Sequence, residues 1–285
     1  NDSRSLDASY EQLLRQITSE APASQRGSKF SSEAQQDDQR FWVTVDAADK
    51  YQRTRLLEAG LDIVEIETNQ VSGFAHGNLL ATLKQGRATA TVRRAVPLHE
   101  YLASVTKASF AVNSAYHNYA QTTELLQSMA INNNDIASLI SIGKTVEGCD
   151  IWCLRLNSTA KSTVASTKPG VFIMGNMHAR EHLSNEVPLL LAAWLLDNRH
   201  DPSIMKYLNT LDIYILPMNN PDGVEFDLKT GKYPMHRKNM AKNSDGSVGV
   251  DLNRNYDSWW CERGASRASW SDTYCGPQAF SEPES

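Results

Sequence analysis

Val171-Phe172-Ile173-Met174-Gly175-Asn176-Met177-His178-Ala179-Arg180-Glu181-His182 runs from an uninterrupted apolar segment directly into metal-ligand and cationic residues. Four apolar residues bounded by Gly170 and Gly175 read as a strand. The next apolar stretch, roughly Leu183–Asp197, is long enough for a helix, and Leu211-Asp212-Ile213-Tyr214-Ile215-Leu216 reads as a second, buried strand. Strand, helix, strand at this spacing is a βαβ unit and implies parallel pairing. In such sheets ligands bind beyond the carboxyl ends of the strands. The segments to inspect are therefore those after Met174 and after Leu216.

Working outward, Tyr116 to Met129 is amphipathic and helical, and Asn132-Asn133-Asn134 closes it. Ile136–Lys144 and Ile151–Leu156 form a strand pair turning at Glu147-Gly148, and a Ser/Thr/Lys loop spans 158–168. Further toward the N-terminus the pattern changes. Phe41–Val45 is a strand, Asp49–Gly60 a helix, and Leu61–Ile66 alternates with period two, as a half-buried strand does. A short strand at Val71–Phe74, a helix at Gly77–Lys84 and a strand at Ala88–Val92 complete a βαββαβ order, the split pattern of ferredoxin-like modules. The expected organisation is a flexible polar segment at 1–37, a small α+β ferredoxin-like domain at 38–95, a connector at 96–115 and an α/β domain at 116–285 with a mixed, largely parallel sheet and flanking helices.

Composition sets bounds on function. Hydrophobic residues make up 41% of the 285, enough for a packed core. The net charge of −5 is spread without a basic patch, which excludes nucleic acid as the expected partner. The longest apolar run, Val187–Leu196, is half of the ~20 residues a bilayer-crossing helix needs. Of the four cysteines, Cys261 and Cys275 lie in a loop-like stretch and can pair, whereas Cys149 and Cys153 flank a strand at an awkward separation.

Both segments beyond the strands carry chemistry. His178 and Glu181 sit three apart where a helix begins, so both side chains can face one point. An imidazole and a carboxylate converging there make a zinc half-site. A single His-x-x-Glu is common on surfaces; its place at the end of a strand raises it. Pro217-Met218-Asn219-Asn220-Pro221-Asp222-Gly223 is, taken alone, turn chemistry. Arg237-Lys238 and Asp251-Leu252-Asn253-Arg254-Asn255 add cations near the same sheet edge, and a guanidinium fork beside an amide matches a carboxylate in bidentate geometry.

His-Ala-Arg-Glu at 178–181, Asn-Pro-Asp-Gly at 220–223, Arg-Lys at 237–238, Asp-Leu-Asn-Arg-Asn at 251–255 and Gly276–Glu284 occur in that order. Together they resemble the zinc carboxypeptidases of the A/B and T type, from about Tyr116 onward. Residues 40–95 look like the propeptide of such enzymes, a weaker likeness. The resemblance implies a secreted or periplasmic metallocarboxypeptidase, made as a proenzyme, using one Zn2+ to hydrolyse the last bond of a peptide. It places His178 and Glu181 as the first two zinc ligands and Arg180 as a substrate-binding arginine. Arg237 becomes the catalytic arginine that steadies the oxyanion, and Asn253 and Arg254 the grip on the terminal carboxylate. Asp251 and Asn255 are expected to support that loop. Peptide or protein C-termini are the expected substrates and an activating protease an expected partner, with Arg93-Arg94 and Lys107 as cut sites. The protein is expected to be monomeric, with no nucleic acid and no membrane partner.

Two departures stand out. His182 takes the place of a large aromatic residue. The family's third zinc ligand and its general base have no counterpart in the chain. They are expected beyond Ser285, because Ser281-Glu282-Pro283-Glu284 reads as a helix start; the chain alone is expected to be inactive. His178 to His182 also fits the inverted His-x-x-Glu-His zinc motif, which requires both histidines on one helix. A third reading is a non-catalytic binder of peptide C-termini.

Overall fold

The computed structural model describes residues 40–84, 90–105, 116–229 and 235–285. The polar lead-in, Lys107 and the first residues of the strand expected at 88–92 lie outside them. In the front part, β1 (Arg40–Asp46), β2 (Asp62–Ile66), β3 (Gln70–His76) and β4 (Val92–Pro97) form one sheet in the order β2-β3-β1-β4, every pairing antiparallel. Helices α1 (Lys50–Glu58) and α2 (Gly77–Lys84) complete the βαββαβ order. Asp49 caps α1 by accepting from the Gln52 amide at 2.8 Å. The core of this module holds Val43, Val45, Leu56, Leu61, Val71 and Leu79. Tyr51 of α1 is exposed. Arg93 and Arg94, expected as protease sites, lie in β4: Arg94 is paired with Thr44, and Arg93 bonds Asp46. Hydrogen-bonded strand backbone is a poor protease substrate. Helix α3 (Leu98–Val105) follows.

The second sheet runs β5-β6-β8-β7, with β5 (Ala137–Lys144), β6 (Asp150–Leu156), β7 (Gly170–Met174) and β8 (Asp212–Leu216). It is mixed: among the described residues β7 and β8 are the parallel pair, and the other two pairings are antiparallel. Its flanking helices are α4 (Tyr119–Asn132), α5 (Leu183–Asp197), α6 (Pro202–Thr210) and α7 (Pro221–Leu228). Leu126, Leu154, Leu156, Leu189, Ala192, Ile213 and Ile215 are buried between sheet and helices. Beneath them Arg155, 1% exposed, forms a bidentate pair with Asp212 at 2.7 and 2.8 Å. β7 is less buried than its apolar run suggests; Phe172 is 56% exposed, since β8 is the strand it pairs with in the described residues.

Two local differences have clear causes. Asn118 forms a capping box with Gln121, so α4 starts at Tyr119 rather than Tyr116. Asn220, expected in a turn, caps Gly223 with Pro221 in the first helical turn, and α7 results. Residues 281–285 form a turn, with the Ser285 amide donating to Glu282 O. Glu282 and Glu284 accept from the Asn239 amide at 2.6 and 3.0 Å.

Candidate active site

The carboxyl ends of β7 and β8 are stitched together before the chemistry begins. The Gly175 amide donates to Leu216 O (2.8 Å), Asn219 N to Gly175 O, and Asn220 N to Asn176 O. Gly175 is required here: a Cβ on it would lie 1.9 Å from the Ser184 carbonyl oxygen. Asn176 follows with φ of +48°, a left-handed conformation that asparagine tolerates better than most residues. Its Nδ2 donates to the carbonyl of His178 at 2.9 Å, and its amide donates to Ser184 Oγ. Asn220, fully buried, donates from Nδ2 to Met177 O and Lys238 O. Buried amides thus tie the 176–181 turn to the 237–239 segment.

Within that turn His178 (7% exposed) directs Nδ1 to Glu181 Oε1 at 2.9 Å and Nε2 to Asp251 Oδ1 at 3.2 Å. Asp251 is fully buried and divides its oxygens. Oδ1 also accepts the Asn253 amide, while Oδ2 accepts Nε and Nη2 of Arg237 at 3.2 and 3.0 Å. Arg237 Nη1 stands 3.9 Å from Glu181 Oε1. The four side chains form one closed ionic ring, with Glu181 the solvent-facing member. Burial works against the Asp251 charge, yet Arg237 and His178 hold its carboxyl well below the usual carboxylate range. Burial likewise opposes a charge on His178, and the hydrogen bonds to Asp251 and Glu181 outweigh it, raising the imidazole above its ordinary value.

Arg180 is buried and contacts two carboxylates, Asp272 at 3.1 Å and Asp62 of β2. Asp62 also lies 3.6 Å from Arg237 Nη1, so one carboxylate of the front module bridges both arginines. Asn253 is exposed, and Arg254 donates from Nε to Gly264 O (2.7 Å) and from Nη1 to Asn253 O (2.9 Å). Asn255 is buried and fixes the loop through Cys275 O, Gln278 O and Ser281 Oγ. Cys261 and Cys275 form a disulfide; Cys149 and Cys153 are free.

The chemistry of the donors suits a zinc half-site. An imidazole nitrogen and a carboxylate oxygen converge, and the far imidazole nitrogen is oriented by a buried carboxylate, the usual second layer of a histidine ligand. Among the described residues no group of three His, Cys, Asp or Glu is placed to hold a metal, so the donor set is partial. The inverted motif finds no support in the geometry. His178 lies in a turn, His182 immediately precedes α5, and His182 Nε2 is bonded to buried Asp227 at 2.8 Å.

Sequence reasoning assigned Asp251 only a supporting place and missed Asp62 and Asp272. Asp251 was accessible in principle, since it heads the Asp-Leu-Asn-Arg-Asn run. For Asp62, 118 positions before Arg180, no local signal existed.

Comparison with known proteins matches this arrangement. A "Zinc carboxypeptidase" of Saccharothrix mutabilis subsp. capreolus is 31% identical over 237 residues, 78% of this chain and 53% of that protein. Carboxypeptidase A2 of Rattus norvegicus is 35% identical over 172 residues, 60% of this chain and 39% of its own. The chain therefore spans about half the length of these curated relatives, or less. The crystal structure of the carboxypeptidase A from Helicoverpa armigera superposes with a TM-score of 0.63 at 25% identity, covering 87% of this chain and 64% of that one. No helix among the described residues is long and apolar enough to cross a membrane. A family model described as zinc carboxypeptidase matches residues 122–285, the region that holds His178, Glu181, Arg237 and Asp251, and the chain belongs to that family.

Proposed function

We propose that the protein carrying this chain is a zinc-dependent metallocarboxypeptidase that removes the last residue of peptides, and that residues 40–97 act as a propeptide over its site. The observation that carries the reading is the ring of His178, Glu181, Arg237 and Asp251 at the carboxyl ends of the sheet. When bound, zinc would supply a Lewis acid for the scissile carbonyl and lower the pKa of a water nucleophile. His178 and Glu181 would hold it, with a further protein donor completing the set.

Asp251 takes the proton of His178 Nε2 as a hydrogen bond, which leaves Nδ1 as the ligating nitrogen beside Glu181. It also fixes Arg237, whose guanidinium can face the oxygen that becomes negative as the carbonyl is attacked; one such donor contributes about 3–4 kcal/mol. Asn253, exposed, and Arg254 would grip the terminal carboxylate, and Arg180 would bind substrate farther along the groove. Each of the two buried arginines has a resident partner, Asp272 for Arg180 and Asp251 for Arg237. Asp62 is the partner that leaves with the front module. A carboxylate bridging two substrate-facing arginines supports a blocking role.

Substrates would be peptide or protein C-termini, the setting secreted or periplasmic, the protein a monomer, and an activating protease its partner. The test is mass spectrometry of a peptide incubated with the full gene product before and after limited proteolysis. The reading expects loss of single C-terminal residues that rises after cutting and stops with a chelator or with Glu181→Gln. Internal cleavage, or undiminished release by Glu181→Gln, overturns the peptidase reading; equal activity before and after cutting overturns the blocking role.

A further inference from the structure

Among the contacts between the second sheet's domain and the front module is one short segment, Trp270-Ser271-Asp272-Thr273, three of whose four side chains are committed to that contact. The Trp270 indole packs against the front core that contains Leu56, Leu61 and Leu83, and its ring centroid is 5.4 Å from that of His76. Ser271, fully buried, seats against the corner between α1 and β2. Gly60 turns that corner with φ of +101°, and a Cβ there would lie 2.7 Å from Ser271 Oγ and 3.5 Å from Trp270. Thr273 Oγ1 donates to Leu57 O at 3.3 Å. Asp272 points the other way, to Arg180.

The segment is held in shape from within its own domain. The Ser271 hydroxyl accepts from the Thr273 amide and meets the Thr273 hydroxyl at 3.1 Å. Ser266 N donates to Thr273 O, Cys275 N donates to Ser266 O, and the Cys261–Cys275 disulfide closes the loop. A surface fixed before contact loses little freedom on binding, and a large aromatic ring entering an apolar pocket is the usual anchor of an interface. An ion pair that must leave water on both sides contributes little net affinity by comparison.

We infer that Trp270–Thr273 is a docking latch for the front module, with Trp270 its energetic anchor. Asp62 blocks the arginines without holding the module in place. The inference rests on the reading of the front module as a removable cover. The two functions are separable: the latch retains the module, the plug silences the arginines, and Asp272 is the residue where they meet.

Hydrogen exchange of the full chain, read by mass spectrometry on peptides from β1 and β3 and from β5 to β8, tests this. Trp270→Ala is expected to speed the slowest front-sheet amides on the order of 100-fold, leaving β5 to β8 within twofold. Trp270→Phe is expected to recover most of the protection, and Asp62→Asn to change it less than about threefold. Unchanged front-sheet exchange in Trp270→Ala overturns the proposal. So does equal acceleration in both sheets, which would mark Trp270 as part of a common fold. Asp62→Asn opening the front sheet as far as Trp270→Ala would refute the division of labour. The readout needs no catalysis, so a docked module on a fully active enzyme would refute blocking while leaving the latch intact.

Discussion

Replacing Asp62 by alanine removes a carboxylate that, among the described residues, lies beside both Arg180 and Arg237. The side chain is 10% exposed, so water cannot take over its role at full strength. Arg180 keeps Asp272 and Arg237 keeps Asp251, so neither guanidinium is orphaned. The loss is therefore smaller than the ~3–5 kcal/mol for breaking a fully buried pair. Desolvation of Asp62 offsets most of its attraction to the arginines, so the net loss is about 1 kcal/mol. For a chain of this size that is a fall in Tm of roughly 2–4 °C. The substitution also leaves a carboxylate-sized space between two cations. Acetate should occupy it; at about 10 times its Kd a ligand restores about 1.4 kcal/mol. Thermal unfolding in acetate and in chloride at matched ionic strength reads the effect. The reasoning expects acetate to recover most of the lost Tm in Asp62→Ala and to leave the parent protein nearly unmoved. An unchanged Tm in Asp62→Ala, or equal recovery by chloride, refutes it.

Three features outside that contact carry further predictions. Asp212→Asn should destabilise the protein by about 3–5 kcal/mol in urea unfolding, because Arg155 is left buried with half of its partners gone. Hydrogen bonding to Arg155 holds the Asp212 carboxyl at about 2 instead of 3.8. Its folded pKa is depressed, so the stabilisation is complete above pH ~4 and is lost as pH falls through 2, a change of about 2.5 kcal/mol that Asp212→Asn abolishes. Cys261→Ser with Cys275→Ser opens a loop of 14 residues' separation and should lower stability by about 3 kcal/mol on calorimetry. Asn176→Gly keeps the left-handed backbone but loses the bond to His178 O, and should cost about 1 kcal/mol, whereas Asn176→Val should cost more because the backbone disfavours it.

The βαβ unit was legible because its two strands are apolar runs and its helix is long and apolar, so local composition and tertiary burial agree. Helix α6 was not read: Pro202–Thr210 is short and its signal is the Asp201 cap, which accepts from Ser203 and Ile204 amides, rather than an apolar stripe. Asn220 could equally begin a turn or a helix, and the choice was made by α7's burial, with Val224 fully buried in a small cluster with Ala179 and Met218. The site divides the same way. His178, Glu181, Arg237, Asn253 and Arg254 stand in short motifs after strand ends, where chemistry-bearing residues are expected. The role of Asp251 as the hub between His178 and Arg237 needed coordinates, because a buried carboxylate that orients two partners looks in sequence like any loop aspartate. Asp62 and the Trp270 segment were beyond local reading altogether, since their partners lie in another part of the chain.

Calorimetric titration of the chain with Zn2+ at neutral pH, beside His178→Ala and Glu181→Gln, bears most directly on the paired ligands. The account predicts binding by the parent chain that each substitution weakens by at least about tenfold. Zinc affinity left unchanged by either substitution would contradict it.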